Sequence, residues 1–175
     1  IALTGSRDEL AAVLAHELSH VTQRHIARGI TNSKRQSLIG LAAMIIGVIA
    51  ASRANSTDGV AAVVTGGQAA SIQGQLNFSR DMEREADRIG FAVLTGAGFS
   101  PGGMAAMFEK LDQSSRLNDS GGYPYLRSHP LTTERIGEAR ARMGTATARA
   151  APGPGGTGFE HALAQARSRV LMDPS

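Results

Sequence analysis

The sequence predicts a mainly α-helical fold, and three observations carry that prediction. Apolar residues recur at helical spacing, capping residues stand where those patterns begin, and glycines stand where they end. Hydrophobic residues make up 42% of the 175 positions, enough for a real core. Aromatics reach only 4% and Trp is absent, so that core must be built from Leu, Ile, Val, Ala and Met. The length suits one domain with a short appendage.

The first helix is expected to open at a Ser-x-x-Glu capping box, Ser6-Arg7-Asp8-Glu9, and to stop at Gly29. Leu10, Val13, Leu14, Leu18 and Val21 give it an apolar stripe. Residues 30–37 are polar and read as a turn or loop. Residues 38–51, LIGLAAMIIGVIAA, are the most apolar run. Its 14 residues fall short of the roughly 20 that cross a bilayer, so it reads as a buried helix or a membrane-surface segment. Gly40 and Gly47 weaken it as an isolated helix. Residues 54–60 read as a mobile connection, and the Ala-, Gly- and Gln-rich residues 61–76 as a helix packing back on the one before.

A helical pattern then runs from Asn77 through Leu94, with Met82, Ala86, Ile89, Val93 and Leu94 on its apolar side and glycines at 96 and 98 as its stop. Ser100 and Pro101 open another helix, the first as cap and the second in the first turn. Met104, Met107, Phe108 and Leu111 form its core stripe. Residues 112–124 read as a long loop, and a further helix follows over about 131–143, with Thr132 and Thr133 at its start. This places one domain over residues 1–143. Residues 144–158, GTATARAAPGPGGTG, have linker composition. Residues 159–175 hold a short amphipathic helix, a candidate first element of a helical repeat region.

Charge and composition exclude several functions. The net charge is +3 with basic residues scattered along the chain, so neither a nucleic-acid footprint nor a polybasic membrane segment is expected. The absence of Cys rules out a thiolate zinc finger, disulfide staples and a Cys nucleophile. No signal peptide is present, and a capping box so near Ile1 suggests that a preceding segment is missing.

The first helix contains His16-Glu17-Leu18-Ser19-His20. Residues four apart share a helix face, so His16 and His20 can point two imidazoles at one metal ion. Glu17, about 100° around the helix, can reach a water there. HExxH also occurs without metal, but its place inside a capped helix with an apolar side favours the metal reading. A catalytic zinc usually has three protein ligands and a water. The HExxHxxGxxH version fails, because its last two fixed positions hold Gln23 and Ile26. His25 lies about 140° off the ligand face and reads as a surface residue. Glu83 on a later helix, with Asp87 one turn on, offers a ligand and an acceptor for the other N–H of a metal-bound imidazole. The alternative is a solvated acidic patch, since Asp81, Glu83, Glu85 and Asp87 alternate with Arg80, Arg84 and Arg88. The HExxH segment in the same small domain tips the balance toward the metal.

HELSH (16–20), SRDMEREADRIG (79–90), GFSP (98–101) and LRSHPLTTERI (126–136), in this order and spacing, closely resemble the zinc metallopeptidase family of HtpX and the CaaX prenyl proteases. The match is nearest its soluble bacterial branch, typified by BepA, and covers about residues 1–143. The resemblance implies an α+β, zincin-like fold. In it the HExxH helix packs on the helix carrying ExxxD, and a small sheet lies upstream of Ile1 with an edge that takes substrate as an added strand. It implies one Zn2+ held by His16, His20 and Glu83, Glu17 as general base and acid, and Asp87 behind a ligand. It places His129 over the metal, as oxyanion stabiliser or as fourth ligand at rest, and makes Arg135, the Arg of HPxxxxR, a support for the site.

The same resemblance implies a polypeptide substrate, outer-membrane or envelope protein partners, and a place on the periplasmic side. Residues 38–76 correspond to a variable apolar insertion that forms true spans in membrane-embedded relatives; here membrane-surface contact through residues 38–51 is the expectation. The expected function is zinc-dependent endopeptidase activity in envelope protein quality control or processing. A zinc-stabilised chaperone or assembly module with a His129-capped site is the second reading. An intramembrane prenyl-protein protease is the third, and the missing spans argue against it.

Overall fold

The structure, a computed structural model, describes residues 1–53, 57–117, 124–146 and 158–172. Among these the chain is helical, with α1 (Arg7–Thr22), α2 (His25–Arg53), α3 (Thr57–Gly96), α4 (Gly102–Leu117), α5 (Pro124–Ser128), α6 (Thr133–Ala146) and α7 (Phe159–Met172), and it shows no strand. Residues 54–56 of the expected connection, 118–123 of the expected loop and 147–157 of the expected linker lie outside the described residues. Two compact units result, one of Ile1–His20 with Glu83–Ser175 and one of Val21–Met82.

In the first unit, Ser6 caps α1 as expected, its Oγ accepting the Glu9 N–H at 3.1 Å. Glu9 does not complete the capping box. Its carboxylate accepts the Gly5 N–H instead and pairs with Lys110 at 2.6 Å. The expected apolar stripe of α1 faces outward: Leu14, Leu18 and Val21 are 60%, 49% and 71% exposed. The buried side is Ala12, Ala15, His16 and Ser19. The cause is close helix packing. Gly90 of α3 meets α1 where a Cβ would lie 3.1 Å from the backbone N and Cα of His16. Helices approach that closely only through small residues, so α1 turns its alanines and serine inward.

The α3 to α4 turn follows the sequence expectation. Phe99 N–H reaches Leu94 C=O at 3.1 Å, Gly98 N–H reaches Thr95 C=O at 3.0 Å, and Gly98 has φ of 79°. This is a Schellman ending, whose left-handed residue favours glycine. Ser100 Oγ accepts the Gly102 N–H, and the Ser100 N–H binds Asp8 Oδ1 at 2.9 Å, tying α4 to the start of α1. Met104, Met107, Phe108 and Leu111 are buried. The core joins Ala12 and Ala15 of α1, Leu94 of α3, Met104, Ala105 and Phe108 of α4, and Ile136 and Ala139 of α6. Val93, expected inside, is 38% exposed. α4 extends to Leu117, into the stretch read as loop. In α7, His161 is buried against the Thr4 hydroxyl at 2.9 Å, and Gln165 donates to the carbonyls of Ala2 and Thr4.

In the second unit the sequence reading needs several corrections, among them that residues 57–60 of the expected connection already belong to α3. α1 ends at Thr22, not Gly29. The break falls at Arg24, at φ 55°, whose N–H binds the Val21 carbonyl. Residues 30–37 are helical within α2, because their polar residues do not stop a helix without Gly or Pro at a cap. His25, read as a surface residue, is 2% exposed, since the break at Arg24 resets the helical register. Residues 61–76 and 77–94 belong to one 40-residue helix. As expected, α3 packs back on α2. Gly47 abuts Val63 and Gly74 abuts Gln36, an antiparallel register. The apolar run at 38–51 is not a buried core helix: only Ala51 is buried, and the large aliphatics are exposed.

A Cβ at Gly103 would lie 2.5 Å from the backbone oxygen of Asp8. Gly103→Ala should lower stability by about 1–3 kcal/mol, because overpacking outweighs the gain in helix propensity. At Gly29, inside α2, nothing lies within 4 Å, so Gly29→Ala should raise stability by up to about 1 kcal/mol. Denaturant midpoints measured on both variants check the pair.

Candidate metal centre

Four side chains from three elements of the first unit converge. α1 supplies His16 and His20, α3 supplies Glu83, and the residue after α5 supplies His129. His16 Nε2 lies 3.0 Å from His20 Nε2 and 3.4 Å from both His129 Nδ1 and Glu83 Oε2. Glu83 Oε1 lies 3.1 Å from His129 Nδ1 and 3.5 Å from His20 Nε2. Each residue offers one donor atom, and all four lie within 4.8 Å of one another.

These groups fit a divalent ion on two counts. A tetrahedron with bonds of about 2.0–2.1 Å has edges of about 3.3–3.4 Å, close to the donor separations. Glu83 Oε2 is buried, and although Arg135 Nη1 stands 2.9 Å away it lies off the hydrogen-bond direction, leaving that oxygen without a donor. Three imidazoles and one carboxylate form a ligand set suited to a borderline metal ion.

Behind the cluster stands a charged scaffold. Glu83, Asp87 and Arg135 are each 5% exposed or less, so no solvated acidic patch exists here. Arg135 grips Asp87 with Nε at 2.6 Å and Nη2 at 2.8 Å, and its Nη1 donates to the Pro130 carbonyl at 2.7 Å. Its guanidinium lies 5.0 Å over the Phe108 ring. Asp87 Oδ1 stands 2.9 Å from His16 Nδ1. That contact sets the ring and directs Nε2 at the cluster.

The electrostatics follow. Burial alone would lower the His16 pKa, but Asp87 and Glu83 outweigh it and raise it to about 9. Burial opposes ionisation of Glu83, yet His129 and His16 beside it and the charge of Arg135 hold its carboxyl well below the usual range. Asp87 is likewise depressed against burial by His16 and Arg135.

Each residue expected at the site is in this unit. Glu17 lies beside the cluster, with Oε1 buried, lacking a hydrogen-bond partner and 3.6 Å from His129 Nε2. His129 is half-buried and turns Nδ1 to the donors. Arg135 is interior and not a surface salt bridge. Tyr125 was missed. Its ring stacks on His129 with centroids 4.7 Å apart, its hydroxyl hydrogen-bonds Glu17, and its carbonyl accepts the His129 N–H at 3.0 Å. Burial and then the Glu17 charge push its phenol well above the ordinary value. The available signal was an aromatic residue four positions before His129, in the segment between the expected loop at 112–124 and the helix at 131–143. The structure leaves little slack around it: the void between His16, Met104, Phe108 and Tyr125 is about 10 Å³.

The metal-free protein should be most stable between about pH 4.5 and 6.5. Glu83 and Asp87 have depressed folded values, so their contribution is present above the unfolded values of 4.5 and 3.8 and is lost as pH falls. His16 is raised, so its contribution is complete below 6.5 and is lost as pH rises through about 9. Urea unfolding across this range in chelator tests the window. Arg135→Lys keeps the charge but loses the fork. It should weaken metal binding about 10–100-fold, read by competition with a chromophoric chelator.

Residues 1–143 match the family described as peptidase family M48. Over 137 residues the chain is 39% identical to the beta-barrel assembly-enhancing protease of Escherichia coli K12, an alignment covering 78% of this chain and 28% of that protein. The protein of the same name in Yersinia pestis is 40% identical over 139 residues, covering 79% and 28%. The mitochondrial metalloendopeptidase OMA1 of Saccharomyces cerevisiae is 31% identical over 137 residues, covering 74% and 34%. The chain thus spans little more than a quarter of the length of the bacterial relatives. The family match takes in all the site residues from His16 to Arg135, and the chain belongs to peptidase family M48.

Proposed function

We propose that the chain is the catalytic part of a zinc-dependent endopeptidase of the gluzincin type, with HExxH and ExxxD, acting on polypeptides in envelope protein quality control. The observation that carries this reading is the four-donor cluster with an unpartnered Glu17 oxygen beside it. The tetrahedral spacing of three imidazoles and a carboxylate favours zinc. His16, His20 and Glu83 would hold it. Zinc, when bound, supplies a Lewis acid that polarises a peptide carbonyl and acidifies a water.

The protein's own groups do the rest. Asp87 fixes the His16 ring, and Arg135 fixes Asp87. Glu17 takes a proton from the attacking water and returns it to the leaving amine. Its Oε1 suits the task because it is buried and makes no hydrogen bond, His129 Nε2 standing 3.6 Å away. His129, now turned to the donor atoms, must swing aside for substrate to enter; from there its ring N–H can hold the developing oxyanion. The relatives' names, which speak of β-barrel assembly, support β-barrel proteins as the substrate or partner class. With the family resemblance of the motifs, this reading puts the site of action on the periplasmic side, facing the outer membrane. Residues 1–143 form the peptidase domain in this reading, 144–158 a linker, and the helix beyond them the start of a helical repeat region.

One observation favours a second reading. His129 Nδ1 already fills the fourth donor position, as in a zinc-stabilised chaperone or assembly module with a resting site. Glu17→Gln should retain one zinc per chain and lower cleavage of an unfolded polypeptide by about 10²–10⁴-fold. Wild-type cleavage by that variant would refute the role given to Glu17. His129→Ala should raise cleavage if the closed site is a resting enzyme. If that variant binds zinc and suppresses aggregation of an unfolded protein without cutting it, the module reading prevails.

A further inference from the structure

The second unit carries a surface that the proposed chemistry does not use. α2 is assembled inside out. Leu38, Leu41, Ile45, Ile46 and Ile49 are each at least 50% exposed. The side that meets α3 carries no large aliphatic of α2 at the described contacts: a Cβ on Gly47 would fall 2.1 Å from Val63 Cγ1, Gln36 lies against Gly74, and Ala51 is buried. A helical pair stabilised by water does the reverse, hiding its large aliphatics. Small residues between helices and large aliphatics outside is the packing of helices in lipid. The most apolar 18-residue window of α2 has a mean hydropathy of 1.6, and none of it is buried within the molecule.

Charge adds an independent indication. The arginines are scattered in the sequence, but the structure brings Arg24, Arg28 and Arg35 together along an open cleft of about 450 Å³ that Phe78 also lines. Its last lining residue on α2, Arg35, precedes Leu38 by about one turn. α2 contains no acidic residue. The whole unit holds six Lys or Arg, at 24, 28, 34, 35, 53 and 80, against Asp58 and Asp81. That excess disfavours a second copy of the same face and favours an anionic partner.

We propose that the α2–α3 hairpin docks on an anionic phospholipid bilayer, with headgroup phosphates at Arg24, Arg28 and Arg35 and acyl chains against Leu38, Leu41, Ile45, Ile46 and Ile49. Arginine forks suit phosphate oxygens, and basic residues beside an apolar helix face strengthen binding to anionic lipid. This inference stands apart from the zinc chemistry.

The test is co-sedimentation of the chain with extruded vesicles of phosphatidylcholine alone or with one-third phosphatidylglycerol. The chain should sediment with the anionic vesicles and stay in solution with the neutral ones. Arg28→Gln and Arg35→Gln should each weaken binding about fivefold. The pair Ile45→Asp and Ile46→Asp should abolish it, and Leu38→Ala with Ile46→Ala, which keeps helix propensity, should weaken it. Far-UV circular dichroism establishes that each variant is folded. The proposal is overturned if the chain ignores anionic vesicles, binds neutral ones equally, or binds regardless of the apolar substitutions. It is also overturned if light scattering finds a lipid-free dimer that the Asp pair dissolves, for the face would then belong to a second copy.

Discussion

The buried fork of Arg135 on Asp87 is the contact on which the site depends. Both groups are desolvated, and that penalty is offset because each finds several partners. Arg135 spends two donors on Asp87, presents a third nitrogen to Glu83 and the Pro130 carbonyl, and stacks its plane over Phe108. One guanidinium therefore relates α6, the acidic pair on α3 and the segment that carries His129. Asp87 passes this order on to the His16 ring.

That network can form only because α1 and α3 come very close. Gly90 touches the His16 backbone, and Ala12, Ala15 and Ser19 keep the buried side of α1 low. A larger residue at the crossing would separate the helices, and Glu83 and Asp87 would then fall short of the histidines. Small residues here set a donor spacing more than they fill a core. The same constraint explains why α1 exposes its leucines: the inward face is occupied by chemistry and close approach.

The hairpin of α2 and α3 uses small residues differently. There Gly47 and Ala51 let two helices meet while the large side chains remain outside. In the first unit the outward leucines result from what the inner face must hold. In the hairpin the described contacts between the helices are Gly47 with Val63 and Gly74 with Gln36, and no ligand set occupies the inner face, so the outward aliphatics need another cause. Arginines lying up to three turns apart along the chain become one cationic cleft by the same folding.

The sequence alone determined the local features. Ser6 and Ser100 cap helices, Gly98 turns left-handed, and HExxH places two imidazoles on one face, because each of these depends on residues within about one helical turn. The M48 motifs also named Glu83, Asp87, His129 and Arg135 as a set. Tertiary structure decided which helix faces are interior. The buried stripe of α3 reads Glu83, Ala86, Asp87, Gly90 and Leu94, and a search for hydrophobic period cannot see it. The capping partner of Glu9, the burial of His25 and the stacking of Tyr125 on His129 were equally hidden. Each depends on a break or a contact made by distant residues, and a periodicity assigns a face only where burial rewards apolar side chains alone.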